Sequence, residues 1–122
     1  ADYTPSEDDN VLVMGVSGDK GSIGYFGYAY YIENEDQLKV LSVDGGTGCI
    51  APSEQTINDS SYAPLSRPMY IYVNNAELSK PEVYEFVKFY LDNGKMLSEE
   101  GGYVALPEAN YNESLSVIAE YK

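Results

Sequence analysis

Three features of this 122-residue sequence predict an α/β fold. Apolar residues recur at helical spacing from Val83 to Leu91 and again from Tyr111 to Ala119, whereas those between Leu65 and Val73 alternate in period two. Glycine and proline punctuate the intervals between these runs, as turns require. With 43% hydrophobic residues the chain is long and apolar enough for one compact domain. Thirteen tyrosines, against three phenylalanines and no tryptophan, suit half-buried edges and clefts, because each buries a ring while its hydroxyl seeks water or a partner.

Taken in order, Ser6 followed by Glu7, Asp8 and Asp9 reads as an N-cap with an acidic first turn, predicting a helix over 7–16 with Val11, Leu12, Met14 and Val16 as its apolar positions. Ser22 to Gly27 reads as a short strand whose glycines permit close backbone approach. Tyr28 to Tyr31 turns into a short helix ending near Glu33. Leu38 to Val43 reads as a strand closed by the turn Asp44-Gly45-Gly46. Ser53 caps a brief helix over 54–58, and a loop runs on to Tyr62. The strand from Pro68 to Val73 places Met69, Ile71 and Val73 on one side and Tyr70 and Tyr72 on the other, with Pro68 at its start or on an edge. Pro81 opens the clearest helix, whose inner face is Val83, Phe86, Val87, Tyr90 and Leu91, and Gly94 marks its end or a bend. Leu106-Pro107 opens the last helix, with Tyr111, Leu115, Ile118 and Ala119 inward.

Composition narrows the chemistry. Twenty acidic against seven basic residues give a net charge of −13, which repels nucleic acid and anionic membranes at long range. A small anion is a different case, since oriented backbone N–H groups bind it regardless of net charge. The absence of histidine removes the commonest general base and transition-metal ligand, and no enzyme, metal site or cofactor is expected. Gly15 to Ser22 lacks the residue order of a P-loop, and Gly45-Gly46-Thr47-Gly48 lacks the spacing of a dinucleotide fingerprint and reads as a turn. The acids Glu7, Asp8 and Asp9 read as a helix start rather than a cation site. Asn58-Asp59-Ser60 and Asn112-Glu113-Ser114 match a glycosylation sequon that recurs by chance and receive no role. Cys49, the sole cysteine, reads as a small buried hydrophobe, the alternative being a disulfide to a partner cysteine. Arg67, the sole arginine, reads as a salt-bridged or solvated residue, with a bidentate oxyanion grip as the sharper alternative. No apolar run approaches a membrane span and no signal peptide opens the chain, so a soluble mature protein or a piece of one is expected.

Five stretches, in order, resemble the phosphate-binding proteins of bacterial ABC importers. They run from Asp2 to Val13, from Gly21 to Tyr31, from Ala51 to Glu54, from Tyr62 to Val73 and from Gly102 to Pro107. The resemblance implies part of a two-lobed periplasmic-binding-protein-like fold of type II, located in the C-terminal portion of the receptor. Residues 1–62 would belong to the second lobe. Residues 63–122 would hold the hinge crossing and the C-terminal part of the first lobe, with Tyr62, Ala63, Pro64 and Leu65 as hinge residues. The family's phosphate contacts, a serine-glycine-threonine loop, an arginine and an acceptor aspartate, would lie upstream, so no phosphate-binding residue is assigned here.

The function implied is phosphate binding for import outside the cytoplasm, in the periplasm or anchored at the cell surface. An acceptor carboxylate would tell phosphate from sulfate, because a buried acceptor left unpaired is costly. Lobe closure would present the loaded receptor to an ABC permease. This stretch would supply lobe framework, hinge and permease-facing surface. Surface left uncovered predicts self-association into a homo-oligomer. The competing reading is a stand-alone interaction module without ligand.

Overall fold

The computed structural model describes residues 3–122; Ala1 and Asp2, the latter opening the first family-like stretch, lie outside the described residues. Helix α1 spans Asp9–Gly18, α2 Tyr28–Glu33, α3 Glu54–Asn58, α4 Pro81–Asp92, α5 Gly94–Glu100 and α6 Glu108–Ala119, with a 3-10 turn at Asn75–Glu77. The strands β1 (Val43–Asp44) and β2 (Cys49–Ile50) form one antiparallel hairpin, Val43 opposite Ile50 and Asp44 opposite Cys49.

The predicted helices form, but α5 is additional, α1 buries Val13 while Val11 and Met14 are exposed, Ala119 of α6 faces outward, and two further shifts concern a cap and an inner face. The first helix is capped by Asp8 rather than Ser6: the Asp8 carboxylate accepts from the Asn10 backbone N–H at 3.0 Å, while Ser6 Oγ accepts from the Asp8 N–H at 3.1 Å. The cap moves because the carboxylate is the stronger acceptor for an orphan N–H. In α4 the inner face is Tyr84, Val87 and Leu91, all buried, whereas Phe86 is 69% exposed and Tyr90 also faces outward. Both sets have helical spacing, and the stripe that meets α6 is the one that is buried.

The predicted strands at 22–27 and 68–73 do not form, and of 38–43 only Val43 enters a ladder. Strand identity needs a neighbour for the backbone donors and acceptors, and among the described residues only the hairpin supplies one. Cys49 is exposed, not buried, because its hairpin register faces it outward beside Asp44. Gly45 to Gly48 form the hairpin loop, where Gly46 and Gly48 take φ of +108° and +105°, values glycine adopts without a steric penalty.

The core lies in the second half. Leu78, Tyr84, Val87, Leu91 and Ile118 are buried together, with Val73, Val83, Tyr111 and Leu115 packed around them. Val13 of α1 is buried apart from this cluster. The two halves are tied by the Asn58 side-chain amide, which donates to the Ala105 carbonyl at 3.1 Å.

Candidate functional site

The segment from Tyr62 to Arg67 carries the chain from the first half to the second, and its geometry is built from local polar bonds. Helix α3 starts with a capping box: Ser53 Oγ accepts from the Thr56 N–H at 3.1 Å, and Thr56 Oγ1 accepts from the Ser53 N–H at 2.8 Å. This fixes the Thr56 carbonyl, which accepts from the Tyr62 N–H at 2.9 Å. The Tyr62 carbonyl then accepts from the Ser66 N–H at 2.8 Å, closing Tyr62, Ala63, Pro64 and Leu65 into one compact turn with a cis Ala63–Pro64 bond.

Residues distant in sequence clamp this turn. A Cβ on Gly45 would sit 2.5 Å from the Ala63 carbonyl oxygen, so the hairpin loop and the turn touch backbone to backbone. The Tyr62 hydroxyl reaches the Leu41 carbonyl at 3.5 Å. Burial, followed by the nearby Tyr25, raises the Tyr62 phenol above its ordinary value, so it is a neutral donor at physiological pH. Arg67 Nη1 donates to the Tyr25 hydroxyl at 3.3 Å; the sole arginine is exposed and, among the described residues, forms no salt bridge, in line with its reading as a solvated residue. Tyr25, Leu41 and Gly45 thus belong to the site although nothing in their local pattern announces it, since each contact spans many residues.

Two acids shape the turns nearby. Asp44 Oδ1 accepts from the Gly46 N–H at 2.8 Å and the Gly48 N–H at 3.0 Å, and these bonds hold its carboxyl below the usual carboxylate value. Asp59 is lowered by the Ser61 hydroxyl and then by the Ser61 N–H, which it accepts at 2.9 Å.

A cleft of about 320 Å³ runs between α4 and α6. Ile71, Val87, Leu91, Val117 and Ile118 line it with Glu113 as the charged group, so it is an apolar trough with an acid that repels a free oxyanion. Among the described residues no group of three Asp, Glu or Cys side chains converges to hold a metal ion, and no helix is long and apolar enough to cross a membrane.

No protein-family model matches the chain. It is 49% identical over 111 residues to Protein SphX of Synechococcus elongatus, covering 90% of this chain and 33% of the relative. It is 46% identical over 116 residues to the phosphate-binding protein PstS of Staphylococcus aureus strain MRSA252, covering 93% of this chain and 35% of that protein. The chain thus spans about a third of the length of the curated relatives it matches. Among solved structures, a possible phosphate binding protein from Planctomyces limnophilus superposes with a TM-score of 0.84 at 42% identity, covering 99% of this chain and 44% of the other. The architecture is therefore that of part of a phosphate-binding-protein fold.

Proposed function

Since this chain is a homologue of a one-third stretch of the phosphate-binding protein PstS, we propose that it is the framework and hinge portion of an extracytoplasmic receptor that binds inorganic phosphate for import. The observation that carries this reading is 46% identity maintained over 93% of the chain, together with the near-complete superposition on the Planctomyces protein. In this role the stretch belongs to the C-terminal portion of the receptor. Residues up to 62 contribute to one lobe, and residues 63–122 carry the crossing and the returning part of the other. The protein is a receptor rather than an enzyme, and its loaded, closed form is what an ABC permease receives.

Tyr62, Ala63, Pro64 and Leu65 serve as the hinge. Supporting this, Tyr62 is held by bonds to Thr56 and Leu41, and Arg67 just beyond the turn by a bond to Tyr25, rather than by a packed core. Hinges are commonly a few loop residues that absorb backbone rotation between packed bodies. Phosphate itself is gripped by atoms outside this stretch, in keeping with the apolar, acid-bearing cleft found within it.

The test is a chimera in which this chain replaces the matching third of Staphylococcus aureus PstS. Calorimetric titration is expected to show phosphate bound and sulfate ignored. A folded chimera that takes up no phosphate defeats the proposal.

A further inference from the structure

The loop between α5 and α6 reaches back to the first half of the chain. Among the described residues, two hydrogen bonds join residues before the Tyr62–Leu65 turn to residues after it. The Arg67–Tyr25 bond is exposed and lies beside the turn itself. The other, from the Asn58 amide to the Ala105 carbonyl, is half-buried and joins residues 47 positions apart. On the same loop Gly102 takes a φ of +76°, which glycine adopts freely, and a Cβ there would lie 3.9 Å from Ala29 Cβ and from the Tyr30 ring. The loop therefore rests on α2 and is bonded to the end of α3.

One peptide group serves both halves. The Ala105 carbonyl accepts from Asn58, and the Leu106 N–H of the same planar unit donates to the Tyr111 hydroxyl at 3.2 Å. In a trans peptide the C=O and the N–H point in opposite directions, so these two partners hold the unit from either side. The Tyr111 hydroxyl also lies 3.2 Å from Ser98 Oγ, and its side chain packs on the core of α4 and α6, which anchors this end in the second half. At the other end Asn58 closes α3, whose Thr56 carbonyl accepts from the Tyr62 N–H at 2.9 Å. Between them Ser60 takes a left-handed φ of 62°, uncommon for a residue with a Cβ, and Asp59 accepts from the Ser61 N–H at 2.9 Å. Asn58 and the start of the turn are thus bonded into one piece.

The halves meet at the covalent turn and again at this shared peptide. A body joined at one point turns about any axis through it, whereas a body joined at two points turns only about the line between them. We propose that the Ala105–Leu106 peptide is a second, non-covalent pivot between the halves, with Asn58 and Tyr111 as its positioning residues. The axis of their relative motion then runs through this peptide and the Tyr62–Leu65 turn. Its consequence for phosphate rests on the proposed receptor reading. Asn58 and Tyr111 act there without touching the anion, by confining the halves to orientations that can close around it. Off-axis orientations lower the binding-competent fraction, and the apparent affinity falls by that fraction.

Nitroxide labels on Cys49, exposed in the hairpin, and on Glu85→Cys, exposed on α4, report the distance between the halves by pulsed electron resonance. The parent chain is expected to give one narrow distance distribution. Asn58→Ala and Tyr111→Phe release the peptide from opposite sides, and each is expected to broaden the distribution while helical circular dichroism stays unchanged. In the PstS chimera each variant should weaken phosphate binding by about 2- to 10-fold, the range that one hydrogen bond spans. The double variant should weaken it no further than the stronger single one, because either loss frees the same peptide. Two separate local roles would instead give losses that multiply. The pivot is overturned by a broad distribution in the parent chain, by an unchanged one in Asn58→Ala, or by multiplying losses in the chimera. Should Tyr111→Phe lose its helices, the distribution of Asn58→Ala alone decides. A distribution broadened by Asn58→Ala, beside a parent chimera that ignores phosphate, upholds the pivot and sinks the receptor reading alone.

Discussion

At the scale of single residues, Asp44 shows how a carboxylate can serve a turn rather than a reaction. Its oxygen gathers the N–H groups of Gly46 and Gly48, and the ionised form is the one these donors favour. The sign of the stability effect follows from the direction of the shift. The folded carboxyl loses its proton at lower pH than the unfolded one, so its contribution is present above the unfolded value, about 3.9. That contribution is lost as pH falls through the lower folded value. In Asp44→Asn the acceptor oxygen remains but the titration is gone. Urea midpoints measured at steps from neutral pH to strongly acidic pH should therefore fall less steeply for the variant than for the parent. Identical slopes would mean that the loop donors do not favour the ionised carboxylate.

At the scale of elements, the sequence revealed helices better than strands for a physical reason. A helix satisfies its own backbone, so Pro81, the spacing of Val83, Val87 and Leu91, and the Ser53 cap locate α4 and α3 without knowledge of their neighbours. A strand is defined by another strand, and the predicted strands ending at Gly27 and Val73 have the right residues but, among the described residues, no strand beside them. The crossing was an implication of the family resemblance, and the contacts that its segment makes with Tyr25, Leu41 and Gly45 were not legible, because contacts across the fold leave no local trace. Gly94 was legible as a break and for an incomplete reason. It does separate α4 from α5, yet it is buried, and a Cβ there would meet the Tyr111 ring of α6 at 2.3 Å. That ring is held by its hydroxyl, which lies 3.2 Å from Ser98 Oγ and accepts from the Leu106 N–H at 3.2 Å. Gly94→Ala should therefore push the ring off both partners and cost about 1–3 kcal/mol, as overpacking usually does. A shift in the urea midpoint with unchanged m-value would show it, and an unshifted midpoint would mean that α5 and α6 separate freely.

At the scale of the whole molecule, charge and missing cover act together. Lys80 pairs with Glu77, Lys88 with Asp92 and Lys95 with Glu99, all exposed pairs that contribute little to stability. Most of the 20 acids have no cation to match them, so the folded chain works against its own field. Raising sodium chloride from about 0.01 M to about 1 M shortens the screening length from roughly 30 Å to roughly 3 Å. The urea midpoint of the isolated chain should rise steadily across that range. Phosphate gives the decisive comparison, because a ligand that binds only the native state adds stability beyond screening, growing with the logarithm of its concentration. At matched ionic strength, phosphate should raise the midpoint no further than chloride in the isolated chain, yet raise it clearly in the PstS chimera. A phosphate-specific rise in the isolated chain would move the anion-gripping atoms into this stretch and reassign it from framework to binding site.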